Sequence, residues 1–397
     1  MNSEQVIGLE KSHVMQTYGR YPLAFERGEG ARLYDFEGKE YIDFASGIGV
    51  NSVGYRDPRW VEAVAGQAST LQHVSNLYYT GPMATLAERL ASISGLSRVF
   101  FANSGAEANE GAIKLVRKYS FDKYGKNRSK IITLQNSFHG RTISTLAATG
   151  QEVFHNYFFP FTGDFVHVPA NDIGALEKEM TGDTCALFVE LVQGEGGVLP
   201  LEADYVKKAR ELCASRDVLF VVDEVQTGIG RTGTFFAYMS YGIAPDVVTS
   251  AKGLGGGLPI GAVLASENVD AVLGAGTHAS TFGANPVCCA GANAVLDIVC
   301  DQQFLEQVKK KGAYIKEAIE GLNAETVLGV RGLGLMLGIV VPSGRHKAFV
   351  SEMAKAGVLA LTAGENAVRL LPPLTITFDE IDRGLEIMGK ILTGGNG

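Results

Sequence analysis

The chain has few of the residues on which disulfide scaffolds and metal centres depend. Five cysteines and seven histidines occur among 397 residues, without C-x-x-C, H-E-x-x-H or paired-histidine spacing. A chain of this length needs no disulfide to fold. The sequence therefore predicts no metal site, and we interpret the cysteines as small core residues: Cys185, Cys213, Cys288, Cys289 and Cys300.

Positive charge and long apolar runs are also scarce. Lys and Arg number 35 against 43 Asp and Glu, which gives a formal net charge of −8. The chain thus lacks the basic excess that nucleic-acid binding requires. No apolar run approaches the roughly 20 residues that span a bilayer, and the first residues show no signal-peptide pattern. We expect a cytoplasmic protein that acts on small molecules and binds neither nucleic acid nor membrane.

Several catalytic signatures are missing as well. Neither the G-x-x-x-x-G-K-[ST] of P-loop ATPases nor the G-x-S-x-G of serine hydrolases is present. One G-x-G-x-x-G occurs at residues 228–233, but it does not directly follow a strand pattern and no helical period opens on it. A nicotinamide-dependent oxidoreductase stays only as a distant alternative.

Helical and strand patterns alternate along most of the chain. Residues 85–94 and 106–119 have helical periodicity, and short apolar strands are predicted at 99–102, 130–134, 186–190, 219–222 and 247–249. This βαβ order predicts an α/β fold with a mostly parallel sheet. Later helices (287–299, 304–322) and strands (334–341, 368–371) predict a smaller α+β domain. We place the large domain at 51–285 and the small domain at 286–397. Residues 1–50, with a hairpin at 32–35 and 40–43, are expected to pack on the small domain.

Lys252 and Asp223 have unusual sequence positions. Lys252 follows an apolar strand and precedes a glycine-rich loop, where burial would lower its pKa and favour the neutral amine that attacks carbonyls. Asp223 ends the apolar run at 219–222. If the cofactor is pyridoxal 5'-phosphate (PLP), an acid there can keep the ring nitrogen protonated. The two residues predict Schiff-base chemistry.

Residues 103–107 follow one predicted strand and open a helix. The first N–H groups of a helix can bind a phosphate. Ser104 and Glu107 also have the spacing of a capping box. Both interpretations stay open from this segment alone.

Phe138 and Arg141 lie in a polar turn after another strand. Phe138 can stack on a cofactor ring or pack in the core. Arg141 can bind a carboxylate with both nitrogens or form a surface ion pair. Glu195, among glycines, and Arg369, in an apolar strand, each require a partner if buried, and they can pair with one another.

These segments together resemble the class III PLP-dependent aminotransferases, in family order and across essentially the whole chain. The matching segments are 103–110 (NSGAEANE), 138–142 (FHGRT), 193–197 (QGEGG), 223–228 (DEVQTG), 251–253 (AKG) and 280–283 (STFG). The resemblance implies a fold-type I α/β homodimer with a seven-stranded sheet, PLP as cofactor and active sites at the subunit interface.

The resemblance also implies roles toward the cofactor. Lys252 would hold PLP through its amine and move the substrate proton, while Asp223 would pair with the ring nitrogen. Gln226 would contact the ring 3-oxygen, and Phe138 would stack on the ring. The remaining cofactor contacts implied are Glu224 and Val225 beside Asp223, Gly105 and Ala106 at the phosphate, and Thr281 reaching the phosphate from the other subunit.

Within the class, residues 17–22, 47–52 and 368–374 most resemble acetylornithine aminotransferases. This implies transfer of the δ-amino group of N2-acetyl-L-ornithine to 2-oxoglutarate, in arginine biosynthesis. Arg141 would bind the acetylornithine carboxylate, and Arg369 the glutamate α-carboxylate. Glu195 would cover Arg369 when the single-carboxylate substrate binds, and Ser280 would lie near the substrate. The alternatives are ornithine, succinylornithine or 4-aminobutyrate aminotransferase, and a non-catalytic relative that binds PLP only to fold.

Overall fold

The computed structural model describes residues 1–394 as alternating helices and strands. The helices are α1 (Ser3–His13), α2 (Ser46–Gly49), α3 (Pro58–Thr70), α4 (Gly81–Ser94), α5 (Gly105–Tyr124), α6 (Ile143–Ala148), α7 (Ile173–Glu179), α8 (Ala203–Ser215), α9 (Tyr238–Tyr241), α10 (Pro286–Val299), α11 (Gln302–Glu320), α12 (His346–Ala356) and α13 (Phe378–Leu392). Within the described residues none of them combines the length and apolar character needed to cross a membrane.

The strands are mostly short. They are β1 (Phe25–Glu29), β2 (Arg32–Asp35), β3 (Glu40–Asp43), β4 (Arg98–Ala102), β5 (Lys130–Leu134), β6 (Phe165–Val168), β7 (Thr184–Val189), β8 (Val192–Gln193), β9 (Leu199–Pro200), β10 (Leu219–Asp223), β11 (Val247–Ser250), β12 (Gly261–Ala265), β13 (Gly329–Leu333), β14 (Met336–Val340), β15 (Val358–Leu359), β16 (Leu361–Ala363) and β17 (Ala367–Leu370).

A seven-stranded sheet in the order β4-β12-β11-β10-β7-β5-β6 forms the centre of the molecule. Six of the seven strands run in the same direction and β12 runs in the opposite one. The predicted mostly parallel α/β sheet is therefore confirmed. Strands β7, β10, β11 and β12 are buried throughout, as expected when helices cover both faces. The sequence did not reveal β6, an edge strand containing a histidine, or β12, which is rich in alanine and glycine.

The parallel strands bring their carboxyl ends to one edge of the sheet. The residues that follow β4, β5, β7, β10 and β11 therefore meet there, although they are far apart in sequence. Val189 pairs with Val222 across β7 and β10, so Glu190 and Asp223 come next to each other. In open α/β sheets, ligands bind outside this edge.

The remaining strands form smaller sheets. An antiparallel sheet of order β13-β14-β17-β16 carries Arg369 on β17 and packs against α11 and α12. The hairpin predicted near the N-terminus is present as β2 and β3. Strand β3 also pairs with β15 in parallel register, Ile42 opposite Val358, so the N-terminal segment is joined to the C-terminal part of the chain. The boundaries at residues 50 and 285 stay predictions.

Candidate active site

A cavity of about 430 Å³ opens at the carboxyl edge of the central sheet. This volume is in the range typical of small-ligand sites. Residues after β4, β5, β7, β10 and β11 form most of its lining: Asn103, Ser104, Gly105, Ala106, Phe138, His139, Gly140, Arg141, Glu190, Asp223, Val225, Gln226 and Lys252. The fold therefore gathers most of the predicted site residues around one space.

Lys252 lies two residues after the end of β11, at the start of a short 3-10 turn (Lys252–Leu254). Its backbone is left-handed, with φ of +44°. The Ser52 hydroxyl holds the turn by donating a 2.8 Å hydrogen bond to the carbonyl of Gly253. Burial lowers the pKa of the Lys252 amine, although the nearby carboxylates of Glu195 and Asp223 act in the opposite direction. A larger fraction of this amine is thus neutral than in an exposed lysine, as a carbonyl-attacking amine requires.

Asp223 is buried at the end of β10, and three donors fix its carboxylate. Asn109 Nδ2 donates to Oδ2 at 2.8 Å, and the backbone N–H of Val225 donates to Oδ1 at 3.0 Å. His139 Nδ1 lies 2.8 Å from Oδ2. Because a carboxylate can only accept, Nδ1 carries the proton. The His139 ring stacks on Phe188, with centroids 4.6 Å apart.

Sequence reasoning gave no role to Asn109 or His139. His139 lies inside the FHGRT segment, between Phe138 and Arg141, to which the sequence pattern assigns roles. Asn109 lies four residues after Gly105, on the same face of α5, and a buried asparagine on an otherwise apolar helix face is a usable signal. Asn109 also donates to the carbonyl of His139 at 2.7 Å, so the two partners of Asp223 hold each other.

The first turn of α5 combines helix capping with an available anion site. Ser104 is the N-cap and accepts from Glu107 N at 3.1 Å. The Glu107 carboxylate accepts from Asn103 N at 2.6 Å, so the return bond to Ser104 that would complete a capping box is missing. Gly105 and Ala106, whose N–H groups have no partner within a helix, line the cavity. A Cβ at position 105 would lie 2.6 Å from Val225 Cγ1, so only glycine fits without a shift.

Phe138 and Arg141 lie on the β5 side of the cavity. Phe138 is half-buried, and its ring meets Phe154 edge to face. Arg141 is exposed, and its guanidinium lies 3.9 Å from the ring centroid of Phe154 and 5.5 Å from that of Phe138. The guanidinium is thus oriented by aromatic faces and stays available to an anion.

Glu190 is a cavity residue that sequence reasoning did not identify as functional. It follows β7, is 5% exposed, and accepts the backbone N–H of Phe138 at 2.8 Å. Burial raises the pKa of its carboxyl to about 7, with Asp223 adding to the shift and His139 opposing it. The only sequence signal was its position as an acid at the end of an apolar strand.

Arg369 and Glu195 form the ion pair that the sequence suggested. Arg369 Nη1 lies 2.6 Å from Glu195 Oε1 and 3.1 Å from Gln226 Oε1. Arg369 is 2% exposed, whereas the Glu195 side chain is 30% exposed. Burial is the largest single influence and acts to raise the pKa of Glu195, but the charge and hydrogen bond of Arg369, together with Lys252 and Gln226, outweigh it, so the pKa is lowered. Gln226 lines the cavity and so connects this pair to it.

Glu224 does not face the cavity, in contrast to the expectation for the segment 223–226. Its carboxylate accepts from the Thr227 hydroxyl and from Tyr238 N on the other side of the chain. The physical reason is alternation: successive side chains at a strand end point in opposite directions, so Asp223 and Glu224 cannot both face the site. Burial raises the pKa of Glu224 to about 7.

Ser280 and Thr281 lie beside a neighbouring cavity of about 380 Å³. Asn103 Nδ2 donates to Ser280 Oγ at 3.2 Å, and Thr281 is exposed. Within the described chain neither residue lines the cavity around Lys252. Ala284 adopts a φ of +61°, a conformation that glycine takes with less strain.

The segment 228–233 forms a buried loop instead of opening a helix. Gly230 packs against Leu305 and Leu374, which occupy the space that a dinucleotide phosphate would need. The nicotinamide alternative therefore loses its structural basis. Among residues 1–394 no group of three or more His, Cys, Asp or Glu side chains could hold a metal ion.

Comparison with known proteins agrees with this geometry. The model of the aminotransferase class-III family matches residues 14–392. An acetylornithine aminotransferase from Haemophilus ducreyi is 52% identical over 395 residues, covering 99% of this chain and 100% of the relative. The acetylornithine aminotransferase structure from Elizabethkingia anophelis has a TM-score of 0.88 at 36% identity, covering 99% of this chain and 100% of that chain.

A second solved structure is an ornithine aminotransferase from Toxoplasma gondii with PLP partially occupying its active site. It has a TM-score of 0.95 at 32% identity and covers 99% of this chain and 94% of that chain. Both the sequence match and the fold thus extend over nearly the full length. This chain belongs to the class III aminotransferase family.

Proposed function

We propose that this chain transfers the δ-amino group of N2-acetyl-L-ornithine to 2-oxoglutarate, with PLP as cofactor. The products are N-acetyl-L-glutamate 5-semialdehyde and L-glutamate. The observation that carries the proposal is that Lys252 and Asp223 line one cavity. Arg369 lies beside this cavity, paired with the partly exposed carboxylate of Glu195. The 52% identity to an acetylornithine aminotransferase favours this amino donor.

The residues present fit PLP. One cavity holds an amine with a lowered pKa, a buried carboxylate fixed by three donors, and the first turn of a long helix. These groups match an aldehyde, a ring nitrogen and a phosphate. When bound, PLP supplies the electron sink for the charge left on the substrate carbon.

Lys252 would hold the cofactor and would also be the base that removes and returns the substrate proton. Its lowered pKa keeps a neutral fraction of the amine available. Asp223 would pair with the ring nitrogen, and Asn109 and His139 orient its carboxylate. Gly105 and Ala106, which line the cavity, would donate their N–H groups to the phosphate, where the positive end of α5 adds a favourable field. The Phe138 ring, Val225 and Gln226 position the cofactor ring.

The carboxylates of the two substrates are divided between two arginines. Arg141 binds the carboxylate of acetylornithine and the distal carboxylate of glutamate, and Arg369 binds the α-carboxylate of glutamate. Glu195 neutralises Arg369 while acetylornithine is bound and moves away for glutamate. The exposure of the Glu195 side chain gives it room to move. Ser280, beside Thr281, would lie near the substrate bound in the other subunit.

We further propose that two copies of the chain form a homodimer, so that Thr281 of one subunit completes the phosphate site of the other. Support comes from exposed apolar side chains close to Thr281: Leu77, Tyr78 and Tyr79 are 85%, 67% and 104% exposed, and Phe282 is 61% exposed. A contiguous apolar patch of this kind is typical of a protein interface. Cytoplasmic location stays a prediction from the sequence.

The experiment is a comparison of kcat/KM for four amino donors with 2-oxoglutarate as acceptor. N2-acetylornithine, ornithine, N2-succinylornithine and 4-aminobutyrate differ in the α-amine and its substituent, which Arg141 and its surroundings must tolerate. Acetylornithine is expected to have the highest kcat/KM. A higher value for ornithine or 4-aminobutyrate would contradict the proposed donor. Loss of all activity in Lys252→Ala checks that this site performs the reaction.

A further inference from the structure

Arg231, in the buried loop at residues 228–233, has an environment that the proposed chemistry does not explain. It is 2% exposed and belongs to the largest fully buried side chains of the described structure. Its Nη1 donates to the carbonyl of Leu335 at 3.0 Å and to that of Pro372 at 2.5 Å. The contact is reciprocal, because Leu335 N donates to the Arg231 carbonyl at 3.0 Å.

These two carbonyls lie at the end of the strand ladder that carries Arg369. In the β14–β17 pairing, Gly338 is opposite Arg369 and Leu337 is opposite Leu370. Continuing this antiparallel register brings Leu335 opposite Pro372. Arg231 therefore links the two strand segments just beyond the end of the β14–β17 pairing. Pro372, one of its two acceptors, lies three residues after Arg369 in the sequence.

The other end of the same segment is the catalytic strand β10. Asp223 ends that strand, and Gln226 contacts both the cavity and Arg369 Nη1. Gly228 N donates to the Glu224 carbonyl at 2.9 Å, and Gly233 N donates to the Gly230 carbonyl at 2.9 Å. Residues 223–233 thus form a compact connection that runs from Asp223 to the base of the Arg369 strand.

Electrostatics make Arg231 costly at this position. Among residues 1–394 no carboxylate forms an ion pair with the Arg231 guanidinium, where Asp43 acts only through its charge, and Arg231 Nη2 has no hydrogen-bond partner. Burial lowers the pKa of Arg231 to about 9, with the charge of Asp43 opposing the shift. Replacing a buried charge with an apolar side chain of similar volume is often neutral or stabilising. Fold stability alone therefore gives a weak reason for an arginine here.

We propose that Arg231 is a positioning residue for Arg369. By donating hydrogen bonds to both strand segments at the end of the β14–β17 pairing, Arg231 fixes the distance between the Arg369 guanidinium and the two residues Asp223 and Lys252. This distance determines whether a substrate α-carboxylate and the adjacent α-carbon can be held at the same time. The inference rests on the proposed function in one respect, namely that Arg369 binds a dicarboxylate substrate.

The test uses the PLP-loaded protein and glutarate, a dicarboxylate that has no amino or keto group and cannot react. Calorimetric titration gives the glutarate Kd for wild type, Arg231→Met, Arg231→Lys and Arg369→Ala. A misplacement of about 1 Å at a binding group can cost about a hundredfold. We expect Arg231→Met to weaken glutarate binding by about 10- to 100-fold and to raise KM for 2-oxoglutarate similarly. KM for N2-acetylornithine should change little, because Arg369 is covered when that substrate binds.

Two further variants separate positioning from general damage. Arg231→Lys keeps a charged donor without the planar fork and should recover part of the glutarate affinity. Arg128→Met is the matched control. Arg128 also donates only to main-chain carbonyls, those of Thr184, Arg216 and Asp217, but it lies at the opposite end of the central sheet. The glutarate affinity of the Arg128→Met protein should equal that of the wild type.

Failure of the positioning role and failure of the proposed function give different results in these titrations. Wild-type glutarate affinity in a folded Arg231→Met or Arg231→Lys protein overturns the positioning role. Unchanged affinity in Arg369→Ala also overturns it, even in an enzyme that converts acetylornithine. If the wild type fails to convert acetylornithine, yet Arg231→Met and Arg369→Ala both weaken glutarate binding, the proposed function fails and the positioning role stands.

Discussion

Replacement of Glu195 by glutamine tests how one site can accept two kinds of substrate. Glutamine has nearly the same shape and can still accept a hydrogen bond from Arg369, but it carries no charge. In the wild type a dicarboxylate must displace the Glu195 carboxylate, which lies 2.6 Å from Arg369 Nη1. In Glu195→Gln that competition is removed, so dicarboxylates should bind more tightly.

The structure sets the size of the effect. A charge-assisted hydrogen bond to a buried group contributes about 1.5–3 kcal/mol, whereas an exposed ion pair contributes about 0–1 kcal/mol. Arg369 is buried and the Glu195 side chain is 30% exposed, so an intermediate value of about 1–2 kcal/mol is appropriate. This corresponds to a decrease of about 5- to 30-fold in the glutarate Kd. The acetylornithine half-reaction should become slower, because the uncovered Arg369 charge then faces the amino group of that substrate.

The assay combines glutarate titration with single-turnover measurements of each half-reaction. Glu177→Gln is the matched control, because Glu177 pairs with Arg216 at 3.1 Å on the surface. The pKa of Glu195 is lowered from 4.5, so the ion pair is complete at neutral pH and is lost only as the pH falls through that lowered value. The gain in Glu195→Gln should therefore be constant near neutrality. Equal or weaker glutarate binding, or equal loss in both half-reactions, would refute the reasoning.

Three other substitutions give further predictions. Gly105→Ala puts a Cβ 2.6 Å from Val225 Cγ1 and should weaken PLP binding in a titration. Adding Val225→Ala should restore PLP binding. If the double variant binds PLP no better than the single one, the contact with Val225 is not the reason for the glycine. The Glu224 pKa is raised to about 7, so its contribution to stability is complete below about pH 4.5 and is lost as the pH rises through 7, with an upper limit of about 3 kcal/mol. Glu224→Gln should therefore flatten the dependence of Tm on pH between about pH 4.5 and about pH 7, and identical curves for the two proteins would count against it. Lys252→Ala should remove both turnover and the visible absorbance of the bound cofactor, and retained turnover would exclude Lys252 from the reaction.

Some features of the site could be predicted because they depend on local sequence. Asp223 ends one short apolar strand and Lys252 follows another, and parallel strands bring such ends to one edge. The pairing of Arg369 with Glu195 followed from the cost of an unpaired buried charge. The family resemblance then connected segments that periodicity alone could not relate.

Other features depend on which strands become neighbours. Glu190 and Asp223 approach each other because β7 lies beside β10, and the His139 contact requires β5 to lie beside β7. That lateral order has no local sequence signal. The Glu224 side chain points away from the cavity because successive side chains alternate at the end of β10, and the resemblance that implies its cofactor contact gives no side-chain direction. The glycine motif at 228–233 gave no indication that its loop turns inward and buries Arg231.

The central claim is that this chain takes the δ-amino group from N2-acetylornithine onto PLP. The most direct measurement mixes the PLP-loaded protein with N2-acetylornithine and no keto acid, and follows the visible absorbance of the cofactor together with the aldehyde released. We predict that the absorbance falls and that one N-acetylglutamate 5-semialdehyde forms per cofactor. Unchanged absorbance and no aldehyde, in a protein that reacts with ornithine or 4-aminobutyrate under the same conditions, would contradict the claim.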